Sequence, residues 1–182
     1  MSPSSHQPGM PAASVSAAPR VHVREVQLFE RAVTLRLPFR FGAATVTQAS
    51  QAFVRVEVDV DGRRAVGATA ELMVPKWFDK SPALTHEQNA EQLRLALRVA
   101  RDRALDAGPQ ASAHALSLQA SEESLRLSMA AGLPRLAAQF GPAQIDKAVA
   151  DAVLRDAGLG WCDGLRAGLL GDPFHALSLI HI

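Results

Sequence analysis

The stretch that decides the fold is AFVRVEVDVDG, at residues 52–62. Four valines stand at every second position of this stretch: Val54, Val56, Val58 and Val60. The residues between them are mostly charged, so an extended chain has one apolar face and one charged face, which predicts a half-buried strand. Asp61-Gly62 has the composition of a two-residue hairpin turn, because such a turn favours residues that tolerate positive φ.

Strands on both sides complete a three-stranded antiparallel meander. Residues 64–72 return as the third strand, with small residues where another layer could approach closely: Ala65, Gly67, Ala68 and Ala70. Residues 21–37 precede the hairpin as a first strand, and a slip in their alternation after Val23 predicts a bulge. We expect residues 38–50 to form a loop between the first two strands.

Helical signals dominate the rest of the chain. Thr85 and Gln88 form a capping box at the start of the first helix, and Gly108 ends it. Residues 112–139 are a weaker helical region with a second start at Ser121. A further helix begins with a proline in its first turn and has a regular apolar stripe. It is marked by Pro142, Ile145, Val149, Val153 and Gly158, and a short helix at 161–169 follows it. A run of strands followed by a run of helices predicts an α+β fold, a meander followed by a helical bundle.

The composition of the chain limits the classes of partner it is expected to bind and the compartment in which it is expected to occur. The chain has 182 residues and a net charge of +1 with no basic cluster, which argues against a nucleic-acid partner. No apolar run approaches the length of a membrane span, so we expect no membrane partner. The lone Cys162 cannot form an internal disulfide, which favours a reducing, cytoplasmic location. Residues 1–20, rich in Ser, Pro and Ala, are interpreted as a disordered leader.

The residue pattern gives no catalytic set. None of the six histidines has the spacing of a metal site, so we expect neither a metal nor a cofactor in this chain. Asp146 and Asp151 are five residues apart on one predicted helix, which separates their directions by about 140°. They are therefore interpreted as bonding to neighbouring elements or facing solvent, and no catalytic residue is predicted.

Two predicted loops are unusually rich in aromatic and cationic residues. They are PFRFG at residues 38–42 and MVPKWFDK at residues 73–80. Aromatic side chains on loops either cover a ligand or a partner, or plug the end of a small core. For Phe39, Trp77 and Phe78 the sequence leaves both interpretations open.

At these two loops the chain resembles the N-terminal capping domain of the enolase superfamily, in its mandelate racemase and muconate lactonising branch. A first strand leads into 38–42, a valine-rich hairpin follows at 52–72, and the aromatic loop comes next. Residues 140–152, FGPAQIDKAVADA, resemble the family's helix before the barrel. The resemblance covers about residues 21–171 and rests on the order of these parts.

This resemblance implies that the two loops lean over the mouth of a catalytic barrel and help to select the substrate. It carries over six substrate-capping candidates: Arg40, Phe41, Thr45, Lys76, Trp77 and Phe78. In the full-length family enzyme, a small carboxylate substrate loses a proton from its α carbon with the help of Mg²⁺. Such enzymes are racemases, dehydratases or cycloisomerases, and they commonly assemble into homo-oligomers.

The length sets a limit on the resemblance. A barrel needs roughly 250 residues, and only residues 172–182 follow the capping region. We interpret 172–182 as the start of a missing barrel or an artefactual tail, and residues 177–182 resemble translated sequencing-adaptor read-through. The chain is then part of a lyase or isomerase, incomplete and inactive alone. The alternative is a free-standing α+β interaction module whose loops 38–50 and 73–80 bind a protein partner.

Overall fold

A computed structural model describes residues 18–41, 44–74 and 76–171, without the side chains of Phe41 and Ala44. Most of the expected leader and the whole tail at 172–182 lie outside these residues. The strands are β1 (Val21–Phe41), β2 (Ala44–Val60) and β3 (Arg63–Met73), which form one antiparallel sheet in the order β1-β2-β3. The helices are α1 (His86–Asp106), α2 (Ala113–Ala130), α3 (Arg135–Ala138), α4 (Phe140–Asp156) and α5 (Trp161–Arg166). The predicted α+β fold is confirmed.

The valine pattern of β2 sets the two faces of the sheet. Val56 and Val58 are 0% exposed, and their neighbours on the same face are buried as well. Alternate residues such as Arg55 and Glu57 lie on the outer face. The predicted turn is confirmed, because Asp61 and Gly62 both have positive φ, at 48° and 81°.

Helices α1 and α4 pack on the valine face, and α2 packs against both of them. Helix α4 approaches β3 so closely at Gly67 that a Cβ there would overlap the backbone of Ala148 and Ala152. The expected close approach is therefore confirmed at Gly67. It is wrong for Ala68 and Ala70, since both are exposed on the outer face.

The largest departure from the sequence analysis is at residues 38–50. They were expected to form a loop, but β1 and β2 remain paired from Phe39 opposite Val46 to Phe41 opposite Ala44. A large bulge makes this pairing compatible with proline. In it, the four residues 35–38 stand opposite the single residue between Val46 and Gln48. The smaller bulge predicted after Val23 is confirmed, since the register shifts between Val23 and Glu25.

The helix boundaries follow their local signals with one exception. The capping box of Thr85 and Gln88 is confirmed, and Gly158 follows α4 with positive φ. The second start at Ser121 is wrong: α2 begins once, where the Ser112 hydroxyl accepts a hydrogen bond from the backbone N–H of Ala115 at 3.1 Å. Across the described ranges, the helices are too short or too polar to cross a bilayer.

Candidate functional site

The first part of the site is a two-stranded arm that extends past the third strand. The last pair between β2 and β3 joins Ser50 to Met73, whereas β1 and β2 stay paired as far as Phe41 and Ala44. We call residues 33–41 and 44–49 the hairpin arm. At about 3.4 Å per residue, its second strand projects roughly 20 Å beyond the end of β3.

The second part is the connection from β3 to α1, residues 74 and 76–85, which we call the Trp77 loop. It leaves the sheet at Met73 and therefore begins at the same end of the sheet as the arm. Lys76 adopts a φ of 66°, and its Nζ donates to the backbone oxygens of Ser81 at 2.7 Å and Leu84 at 2.5 Å. These bonds draw the loop around the ammonium group.

Asp79 fixes the other half of the loop. Its Oδ1 accepts the backbone N–H of Ser81 at 2.9 Å, and its Oδ2 accepts Nε2 of Gln92 on α1 at 3.0 Å. The N–H of Ser81, the amide of Gln92 and the nearby Lys76 charge hold the pKa of this carboxyl below its usual value. The loop is therefore tied both to itself and to α1.

The two neighbouring aromatic residues of this loop have different surroundings. Phe78 packs against the core, with its ring edge-on to Phe140 of α4 at a centroid distance of 5.1 Å. Trp77 is 51% exposed, and Phe39 on the arm is 48% exposed. The core-plug interpretation is thus confirmed for Phe78, whereas Phe39 and Trp77 present much of their surface to the exterior.

The other candidates divide between the arm and the loop. Arg40 and Thr45 are cross-strand partners on the arm and both are exposed. Phe41 pairs with Ala44 through its backbone, but its side chain lies outside the described residues. The structure thus brings Arg40 and Thr45 together and places Trp77 at the same end of the sheet.

Asp146 and Asp151 confirm their interpretation as structural residues. Asp146 Oδ2 accepts a hydrogen bond from the Ser117 hydroxyl at 2.7 Å, and Asp151 Oδ2 accepts the backbone N–H of Ala68 at 2.9 Å. Part of Asp146 is exposed to solvent, but the residues packed around its carboxyl desolvate it and raise its pKa. The Ser117 hydrogen bond and the charge of His114 oppose this rise.

Sequence reasoning missed a charged cluster between β1 and α1. Arg94 donates from Nε and Nη2 to both oxygens of Glu30, at 2.7 and 2.8 Å, and from Nη1 to Glu87 at 2.5 Å. Beside it is an open cavity of about 240 Å³, whose rim includes Arg98 and Arg101. Arginines at i, i+4 and i+7 on one helix were the available signal, but the partner Glu30 is 64 residues away.

Residues 18–41, 44–74 and 76–171 contain no group of three or more His, Cys, Asp or Glu side chains that could hold a metal ion. In that part of the chain Cys162 is a free, exposed thiol. No family model, curated protein or solved structure matches this chain.

Proposed function

We propose that this chain is the substrate-capping N-terminal domain of an enolase-superfamily enzyme. The observation that carries the proposal is the placement of the hairpin arm and the Trp77 loop at one end of the sheet. These are the two segments whose sequences resemble the family's capping loops. The resembling segments, residues 38–42 and 73–80, are 31 positions apart in sequence, yet both are at the same end of the sheet.

The internal bonding of the Trp77 loop supports a covering role. Lys76 and Asp79 are both engaged within the loop or with α1, so the loop is ordered while Trp77 faces outward. A pre-ordered aromatic side chain loses little conformational entropy when it contacts a ligand. Lys76 then acts by holding the loop, and Arg40, Thr45 and Trp77 are the candidates for contact with substrate.

In this proposal the cap excludes water and selects the substrate, while a barrel supplies the chemistry. That chemistry is Mg²⁺-assisted removal of a proton α to a carboxylate, in a racemase, dehydratase or cycloisomerase. The described residues offer no cluster of carboxylates for the metal. In this proposal the missing barrel supplies the metal ligands, and the present chain performs no catalytic step alone.

The first experiment is to sequence the genomic DNA downstream of the codon for residue 176. The proposal expects the reading frame to continue into a barrel of roughly 250 residues. A native stop codon at the present length would contradict it. In that case a soluble monomer with a cooperative melt would instead favour the free-standing interaction module.

The second experiment uses the enzyme that this frame encodes. Removing the exposed indole with Trp77→Ala should raise KM for the carboxylate substrate about tenfold, which corresponds to about 1.4 kcal/mol of lost contact. Leu118→Ala is the matched control, because Leu118 is also exposed but lies on α2. Equal effects of the two substitutions on KM would contradict a capping role for Trp77.

A further inference from the structure

The two edges of the sheet differ in how far other parts of the chain cover them. At the β3 edge, Asp151 of α4 accepts the N–H of Ala68, and Lys147 of α4 pairs with Glu71 at 3.0 Å. From Val21 to Thr34 of β1, the backbone pairing on the outer edge among the described residues is a bridge between Val21 and Gln110. Residues 25–34 therefore have no backbone partner on this edge within the described part of the chain, and natural proteins usually cover or pair such an edge.

The open edge contains an uninterrupted segment suited to pairing. Residues 25–34 are in continuous register with β2, between the bulge after Val23 and the large bulge at 35–38. The segment has no proline and no glycine, so nothing in it prevents a further strand from joining. Phe29, at its centre, is exposed on the outer face.

Two charges on this segment lack an ion-pair partner among the described residues. Glu25 stands directly opposite Glu57 of β2, which pairs with Arg55 and Arg64, and the Glu25 carboxylate accepts a hydrogen bond from Gln27. Arg31 donates to Gln51 and lies over the ring of Phe53, at 5.4 Å from its centroid. Both charged side chains are on the outer face.

Glu25 and Arg31 cannot satisfy one another within one chain, because six residues of strand separate them by about 20 Å. We propose that a second copy of this chain pairs antiparallel along β1, with Leu28 at the two-fold axis. In this register Glu25 of each copy lies opposite Arg31 of the other, on the outer face of a continuous six-stranded sheet. A two-fold axis perpendicular to the sheet keeps both side chains on the same face.

Helix α1 lies next to β1, and the distribution of charges along it fits the same two-fold symmetry. Its end near Glu30 has the carboxylates Glu87 and Glu91, and its later turns bring Arg98 and Arg101 to the rim of the 240 Å³ cavity. These side chains are exposed or half-buried and pair with charges on the same helix, so a second copy would add to these ion pairs. A two-fold axis near Leu28 reverses this order in the second copy. The arginine-rich end of one helix then faces the carboxylate-rich end of the other.

The test is a charge reversal measured by sedimentation of the full 182-residue chain at low salt. The wild type should be a dimer at about 100 µM, and Glu25→Arg or Arg31→Glu alone should weaken the dimer at least about tenfold. The double variant E25R/R31E should restore it, since the pairing of opposite charges returns. Far-UV circular dichroism and melting curves establish that each variant is folded.

Glu122→Arg and Arg166→Glu are the matched controls, because they make the same charge changes at exposed positions on α2 and α5. Both should leave the dimer intact. A wild type that remains monomeric at the highest soluble concentration would overturn the proposal. So would a dimer that withstands both single reversals, or a double variant that dimerises no better than either single one.

Discussion

Asp151 of α4 accepts the backbone N–H of Ala68 on β3 at 2.9 Å, across 83 residues of sequence. The bond joins the helical layer to the edge of the sheet through a side chain. It also occupies a backbone donor that a free edge would present to another strand. The carboxylate of Asp151 pairs in addition with Arg155 at 3.3 Å, one turn along the same helix.

Replacing this carboxylate should destabilise the fold and expose the β3 edge. Asp151→Ala is expected to lower the free energy of unfolding by about 1 kcal/mol, because the Ala68 amide loses its partner. Arg155→Ala removes the exposed ion pair alone and should cost less than about 0.5 kcal/mol. Urea unfolding of both variants checks the difference, and equal losses would contradict the importance of the amide bond.

The close contact of α4 with β3 gives a second prediction. Gly67→Ala should lower the free energy of unfolding by about 3 kcal/mol or more, because its Cβ would meet backbone atoms of Ala148 and Ala152 that have no room to move. Gly160→Ala is the control, since a Cβ there has no neighbour within 4 Å and φ is −73°. Denaturant melts should leave the Gly160 variant within about 0.5 kcal/mol of the wild type.

The elements that the sequence predicts well depend on local physics. The valine alternation of β2, the Asp61-Gly62 turn and the capping box at Thr85 each involve residues within a few positions of one another. Their signals are therefore visible without tertiary contacts. Asp146 and Asp151 belong here too, because helical periodicity alone separates their directions.

The errors arise where distant residues decide the outcome. Pro38 favours a loop in isolation. The large bulge accommodates it, and the pairing of Phe39 with Val46 beyond the bulge keeps the arm in strands. The role of Phe78 depends on Phe140, 62 positions later in the chain, against which it packs. The sequence marks Trp77 and Phe78 alike as aromatic loop residues, and only the packing of α4 on the sheet distinguishes them.

A third prediction concerns the pH dependence that Asp146 introduces. Close packing raises its folded pKa above the unfolded value, so its favourable contribution is complete at pH values below the unfolded pKa of about 4. This contribution is lost as the pH rises through the folded pKa. Asp146→Asn keeps a hydrogen-bond acceptor for Ser117 but does not titrate. The wild type should therefore lose stability relative to this variant as the pH rises above about 4, and an identical pH dependence of the two melting temperatures would contradict the raised pKa.

The last prediction tests the ammonium group that holds the Trp77 loop together. Lys76→Met nearly keeps the length of the side chain but removes the Nζ that donates both hydrogen bonds, so the carbonyls of Ser81 and Leu84 lose their partner. Hydrogen bonds from charged donors contribute about 1.5–3 kcal/mol each, and solvent that reaches the opened loop offsets part of that loss. We therefore expect a loss of about 1–2 kcal/mol in unfolding free energy, together with faster amide exchange at Ser81. Lys80→Met is the control, because Lys80 is exposed in the same loop. If both substitutions leave exchange at Ser81 unchanged, the ammonium does not order the loop, and Trp77 must be held by other contacts.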